Sequence, residues 1–395
     1  MRFHLFAASI LLATMSLTAQ QASTMPTDSY IALMTAARKH AFAHGAKVAP
    51  VLSPEDKVLL GNPPELDVAA LHKAGFRIDP WNPNDPEVIR TLIRQRVDGL
   101  ISDRPDILQA VLKEEAAANP KDAAYFARFD VAGHRGGRGL RPENTLPAFE
   151  AGLDNLVTTL ETDTGVTTDH VSLIWHDQFL NPQSCRHADG TPYTLANRAY
   201  TRDMSVAEAQ STFICDKLHT AEFPDQKNDL SLSPVAVAFA KKEHLISPYV
   251  PTYIEQLFRF TRFYADYYRT GPGKSTPHAA ERAANAAKVR FNIETKIQPL
   301  PNDPPGKSVA NLPLPGHGPK TNHTVDPQTF VTVLCGAIVR NHMEDRAEVQ
   351  SFDFRTLQLV EEQFPRIPTY YLTGATSSLS TTLIPPSLRQ PAKKQ

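Results

Sequence analysis

The residues able to do chemistry crowd into one stretch, from Val131 to Asp177, which reads VAGHRGGRGLRPENTLPAFEAGLDNLVTTLETDTGVTTDHVSLIWHD. Glu161 and Asp163 stand two apart, so on a strand both side chains share a face. Adjacent carboxylates repel and raise each other's pKa unless a cation lies between them. A third carboxylate, Glu294, ends an apolar run further on. All-oxygen donors suit Mg²⁺ or Ca²⁺ better than zinc. Histidine is the side chain suited to proton transfer near neutral pH, and the stretch holds His134 and His176. Arg135 offers a planar fork for a phosphate, and Lys296 a second cation. Carboxylates for a metal, two histidines and two cations together point to cleavage of a phosphate ester.

These residues need a scaffold that brings strand ends together. Phe129–Ala132 runs into Gly133-His134-Arg135, Leu156–Leu160 into Glu161-Thr162-Asp163, and Val171–Trp175 into His176-Asp177. Apolar strand, charged tip, then loop and helix is the pattern of a parallel α/β barrel, whose reactive groups sit at the carboxyl ends of the strands.

The same residues resemble the glycerophosphodiester phosphodiesterase family. The shared pieces, in order, are His134-Arg135-Gly136, Pro142-Glu143-Asn144-Thr145, Ala148-Phe149, Glu161 and Asp163, Thr167 and Asp169, and His176-Asp177. Downstream come Glu294-Thr295-Lys296 and Ser351-Phe352-Asp353. The resemblance implies a (β/α)₈ barrel that hydrolyses glycerophosphodiesters to glycerol 3-phosphate and an alcohol. It implies His134 and His176 as the acid–base pair, and Glu161, Asp163 and Glu294 as ligands of Ca²⁺ or Mg²⁺. Arg135, Lys296 and Trp81 would face the substrate, and Glu143 would either reach the metal or orient Arg135, the second being the preferred reading. A cyclising phospholipase on a related barrel and a secreted, inactive binding barrel are the alternatives.

Two further pieces stand in an unusual place. Trp81-Asn82-Pro83-Asn84 and Val97-Asp98-Gly99-Leu100-Ile101-Ser102-Asp103-Arg104-Pro105 resemble the family's last two strand ends, yet they precede the first-strand motif. The strands then read, in chain order, as seventh, eighth and first to sixth. They are Phe76–Trp81, Gly99–Ser102, Phe129–His134, Thr158–Asp163, Ser172–Trp175, Arg290–Lys296, Val349–Asp353 and Thr369–Leu372. This predicts a circularly permuted barrel, with Phe76–Trp81 beside Thr369–Leu372 and Gly99–Ser102 beside Phe129–Ala132. Residues 20–115 supply the last two strands and helices, and residues 116–373 the rest. A long insertion, residues 178–288, follows the third strand, and residues 374–395 form a disordered tail.

Helix signals fill the gaps. They predict helices over Ser29–His44, over Pro64–Ala74 with Gly75 as terminator, and from Asp85 through Gln95 with aspartate as cap. Pro251–Tyr268 reads as a barrel helix inside the insertion.

Composition sets outer bounds. The chain has 395 residues, 33 prolines and a formal net charge of -1, which leaves no electrostatic footprint for nucleic acid. Met1–Ala19 has a basic start and an apolar centre, and reads as a cleaved secretory signal. This predicts a secreted or periplasmic protein, with no membrane span in the mature chain. Export permits a disulfide. Cys185 and Cys215, in one polar insertion, are the expected pair, and a loop of about 30 residues would stabilise by roughly 3 kcal/mol in the chain-entropy model. Cys335 lies in an apolar run and reads as a packed hydrophobe. Zinc is not expected, since no Cys-x2–4-Cys pair of a zinc finger and no His-Glu-x-x-His run of a zinc protease occurs. His317 and His323 read as loop residues.

Overall fold

In the computed structural model, which describes residues 26–297 and 323–375, seven strands lie side by side in a curled parallel sheet. Around the ring they are Val51–Pro54, Thr369–Thr373, Ala347–Ser351, Arg290–Thr295, Thr159–Val166, Asp130–Gly133 and Gly99–Ser102. Residues 78–81 close the ring between the first and last of these. Asp79 N donates to Leu52 O at 2.9 Å and Trp81 N to Pro54 O at 3.0 Å; on the other side Asp98 N reaches Ile78 O at 2.9 Å and Ile101 N reaches Pro80 O at 3.0 Å. Pro80 has no N–H to give, so this eighth member is bridged at Ile78 and Trp81 and not laddered throughout.

The N-terminal segment is thus part of the barrel, and it contributes more than the sequence reading assigns. Val51–Pro54 pairs with Thr369–Thr373, with Val51 opposite Tyr370. It therefore separates Phe76–Trp81 from Thr369–Leu372, which were expected to be neighbours. Gly99–Ser102 does pair with Asp130–Gly133, as expected. The displaced member is Ser172–Trp175. Its strand, Ser172–Ile174, runs antiparallel to Thr159–Val166, with Val166 opposite Ser172. It folds back as a hairpin outside the ring because only five residues, 167–171, separate the two. A parallel neighbour needs a crossover of a dozen residues or more.

Helices cover the outside, and short caps set their starts. Asp85 accepts from Glu87 N and Val88 N at the head of Pro86–Arg94, as predicted. Asp67 does the same for Val68–Lys73, so that helix starts later than Pro64. Gly75 then ends it at φ +84°, a left-handed conformation open to glycine. The first helix is Pro26–Ala43, and the insertion's barrel helix is Ile254–Arg269. One continuous apolar core joins Tyr30, Leu52, Ile78 and Leu100 of the N-terminal segment to Phe149, Phe258, Ile293 and Tyr371.

Two features frame the ends of the barrel. At the amino ends of the strands lies a charged layer: Arg290 reaches Asp130 at 2.7 Å and Glu348 at 3.4 Å, and Arg77 reaches Asp79 at 3.1 Å. At the other end the insertion builds a small second core around Trp175, Leu180, Tyr193 and Phe213. It contains the Cys185–Cys215 disulfide. Cys335 is buried in the main core as a free thiol. The proposed signal, the tail beyond Ala375 and His317 lie outside the described residues. Among the described residues no helix is long and apolar enough to cross a membrane.

Candidate active site

The carboxyl ends of the strands meet in a pocket of about 290 Å³, lined among others by Trp81, His134, Arg135, Glu161, His176, Glu294, Lys296, Gln350 and Phe352. The loop after Asp130–Gly133 turns sharply to present His134 and Arg135. Gly136 makes that turn possible at φ +87°, since a Cβ there would stand 2.7 Å from the backbone of Ala148 and Phe149. The helix Leu146–Asp154 is thereby held against the loop. Its cap residue Thr145 accepts from Ala148 N.

Glu161, Asp163 and Glu294 converge as their strands predict. Asp163 and Glu294 are register partners on adjacent parallel strands, and one oxygen of each of the three carboxylates lies within 4.8 Å of the others. All three are buried. Glu161 accepts from Arg135 N at 2.8 Å and from Gln350 Nε2 at 2.7 Å. Asp163 accepts from Asn144 Nδ2 at 2.9 Å, with Arg135 Nε at 3.3 Å and Lys296 Nζ at 3.8 Å. Lys296 Nζ is 2.9 Å from Glu294 Oε1, which leaves that residue's other oxygen for another cation.

The electrostatics show a deficit of positive charge. Burial raises Asp163, but Arg135, His176 and Lys296 more than offset this and hold it well below the usual carboxylate range. Burial and then Asp163 push Glu161 well above its ordinary value, and burial also raises Glu294 despite Lys296. Two protein cations thus face three inner carboxylates, and the surplus charge draws either a proton or a further cation. A divalent ion with a preference for oxygen fits this donor set. Gln350 Oε1, buried and without a hydrogen-bond partner, offers one more oxygen beside Glu161.

Each histidine has its own carboxylate. His134 Nδ1 is 2.5 Å from Asp103 Oδ1, and its Nε2 is 3.9 Å from Glu161. His176 Nδ1 is 2.9 Å from Asp177 Oδ1, and Asn181 Nδ2 fixes the second oxygen of Asp177 at 2.9 Å. Burial lowers the pKa of His134, although Asp103 opposes the shift. Burial raises Asp103 in turn, and His134 and Arg138 overcome it, so that carboxyl is held low. These contacts fix which ring nitrogen faces the pocket.

Glu143 accepts from Arg135 Nη1 at 2.9 Å and touches Arg138 at 3.4 Å. Trp81 lines the pocket edge-to-face with Phe352 at 5.7 Å, its indole N–H given to Ser53 O at 3.1 Å. Its contribution is therefore an apolar wall. Sequence reasoning missed Asp103 as the partner of His134, and missed Arg138, Gln350 and Asn82. Asp103 carried a usable signal, since it ends an apolar strand run as His134 does. His323, outside this group, contacts Asp203 at 2.6 Å.

A closed α/β barrel thus carries three buried carboxylates, two carboxylate-held histidines and the cations Arg135 and Lys296 at the carboxyl ends of its strands. The chain belongs to the glycerophosphoryl diester phosphodiesterase family, which it matches over residues 4–107 and 134–393. It is similar to the curated Mycobacterium tuberculosis protein named "Probable glycerophosphodiester phosphodiesterase 2", with 42% identity over 45 residues, 11% of this chain and 17% of that one. Among solved structures it resembles an Oleispira antarctica phosphodiesterase in complex with the product sn-glycerol-3-phosphate, at 14% identity and a TM-score of 0.34, covering 61% of this chain and 65% of that one. A glycerophosphodiester phosphodiesterase from Agrobacterium tumefaciens aligns at 12% identity and a TM-score of 0.33, over 60% of this chain and 64% of that one. The alignments thus span less than two thirds of each of these relatives.

Proposed function

We propose that the chain hydrolyses glycerophosphodiesters to sn-glycerol 3-phosphate and an alcohol, with a Ca²⁺ or Mg²⁺ ion held by Glu161, Asp163 and Glu294. The observation that carries this reading is the three-carboxylate cluster flanked by two histidines, each paired with its own carboxylate. When bound, the ion would neutralise the phosphate and polarise it. Arg135 and Lys296 orient the phosphate oxygens and stabilise the charge that builds on them. One of His134 and His176 takes the proton of the attacking water as its oxygen bonds to phosphorus. The other gives a proton to the alkoxide as the phosphorus–oxygen bond to the alcohol breaks. Trp81 and Phe352 supply an apolar wall for the alcohol or glycerol carbons.

Turnover of glycerophosphocholine with and without chelator, followed by add-back of Ca²⁺ or Mg²⁺, tests this. Expected are loss of activity, its return with one of the ions, and glycerol 3-phosphate as product. Glu294→Gln should weaken ion binding and remove most activity while the fold survives. A cyclic phosphate product would instead favour the lyase reading, and no turnover under any ion the binding barrel. We also propose that the protein is exported; the Cys185–Cys215 disulfide supports an oxidising compartment.

A further inference from the structure

We propose that His40, His44 and Glu362 form a second metal site, on the outside of the barrel, for a transition ion such as Zn²⁺. His40 sits in the last turn of Pro26–Ala43 and His44 follows four residues on, so both rings lie on one face. Their centroids are 4.6 Å apart. Glu362 reaches them from the facing helix Phe354–Gln363, with Oε1 3.1 Å from His40 Nε2. One donor atom from each of the three lies within 4.8 Å of the other two.

The hydrogen bonds behind these donors separate the group from a chance surface cluster. His40 Nδ1 is 2.7 Å from Glu361 Oε2. Glu361 is buried, and its other oxygen accepts from Thr369 Oγ1 at 2.8 Å and from the Tyr371 hydroxyl at 2.9 Å. The ring is therefore anchored to a barrel strand through a carboxylate. His44 Nδ1 is 2.9 Å from the His40 backbone oxygen. In both rings Nδ1 faces an acceptor, so an ion would be met by Nε2: that of His44 points to no acceptor among the described residues, and that of His40 faces Glu362, whose shared proton must leave as the ion binds. A carboxylate or a backbone carbonyl behind the ligating ring is how metal-binding histidines are held. An ion pair of His40 with Glu361 and Glu362 accounts for His40 alone. It gives no role to His44, whose Nε2 has no partner among the described residues.

Two imidazoles and one carboxylate suit Zn²⁺, Co²⁺ or Ni²⁺, whereas the oxygen cluster inside the barrel suits Mg²⁺ or Ca²⁺. The two sites thus differ in hardness and can be addressed separately. An ion here would staple the first helix to the helix that precedes the Thr369–Thr373 strand, binding the folded chain and not the unfolded one. The sequence reading looked for zinc-finger and protease spacings, and this third ligand lies 322 residues from His40 in the chain.

The experiment is a Zn²⁺ titration of the full chain by calorimetry in excess Mg²⁺, with wild type, Glu294→Gln, His44→Ala and Glu362→Gln. Circular dichroism checks the fold of each; His44 and Glu362 are exposed, so folding should survive both changes. Wild type and Glu294→Gln should bind one equivalent of Zn²⁺ and melt at higher temperature with it. His44→Ala and Glu362→Gln should lose that equivalent or bind at least about 10-fold more weakly, and lose the thermal shift. Equal Zn²⁺ binding by wild type and both variants would overturn the site, as would no binding by wild type. Loss of Zn²⁺ binding in Glu294→Gln alone would move the ion to the barrel and overturn it too.

Discussion

At the residue scale, His134 and Asp103 work as a unit, and each depends on the other for its state. His134→Ala and His176→Ala should each lower turnover by about 10²-fold or more, the range of general acid–base groups. Asp103 acts through His134 and also holds Arg138, at 2.6 Å. Asp103→Asn should therefore lower turnover and displace the pH profile of kcat, whereas a purely structural residue would leave the profile in place. Initial rates between pH 5 and 9 measure both. The two histidines, the three inner carboxylates and Arg135 were legible in the sequence because each directly follows an apolar run. The His134–Asp103 pair was not, because it joins two strands that only the closed ring brings together. A second group tests the other end of the barrel. Burial raises Glu348 from 4.5 to about 8, and its Oε1 has no hydrogen-bond partner. A carboxyl whose pKa is raised by folding takes up a proton as the chain folds. Its contribution is full below the unfolded value and is lost as pH rises from about 4.5 to about 8. The melting temperature should fall across that window, and Glu348→Gln should flatten the fall; a parallel decline in the variant would show that another group is responsible.

At the element scale, the insertion is tied to the loop that follows Asp130–Gly133. Gln226 Nε2 donates to Arg138 O at 2.6 Å, Lys227 N to Leu140 O at 3.0 Å, and Arg138 stacks over Phe223 at 4.8 Å. These bonds hold the loop that carries Arg135 and Arg138. The polar, proline-broken sequence of the insertion predicted its length and its cysteine pair but not this contact, since no periodic pattern marks where a loop will dock. The same limit explains the misread strand. Ser172–Trp175 is apolar and ends in His176-Asp177, which fits a barrel strand and a hairpin return equally well. The run Val48–Leu52 reads as extended and overlaps Val51–Pro54, but it is too short to mark a ring member. Removing the disulfide with Cys185→Ala/Cys215→Ala should destabilise the insertion by about 3–4 kcal/mol, the chain-entropy value for a separation of 30 residues. Hydrogen exchange should show the loss first in residues 178–253, with the barrel strands still protected. Uniform loss of protection would mean that the insertion and the barrel unfold together.

At the scale of the whole molecule, the strands follow one another around the ring in chain order, but the chain enters the ring three members before the strand with which the family motifs begin. Val51–Pro54, residues 78–81 and Gly99–Ser102 sit between the strand that ends the described chain and the strand that leads to His134. A chain that begins at Ala124 would lack three of the eight ring members, one more than the sequence reading counted. It would expose the unpaired edges of Thr369–Thr373 and Asp130–Gly133, and lose Asp103 from the site. Such a chain should be insoluble or bind a hydrophobic dye without fixed tertiary structure. Failure of a truncation has many causes, so the sharper test restores the missing strands at the other end. Tyr30 donates its hydroxyl to Gly374 O at 2.8 Å, which brings the first helix beside the end of the last strand. A chain opened at Asn119–Pro120 and rejoined from Ala375 to Pro26 by a flexible Gly/Ser linker keeps every ring contact and returns the strands to the order that the family motifs follow. Termini at the surface make such rejoining tolerable. The rejoined chain should be soluble, retain turnover within roughly 10-fold of the parent, and lose it on Asp103→Asn as the parent does. A soluble, active Ala124 truncation, or an unfolded rejoined chain alongside a folded parent, would show that the N-terminal strands do not serve the barrel as a permuted part of it.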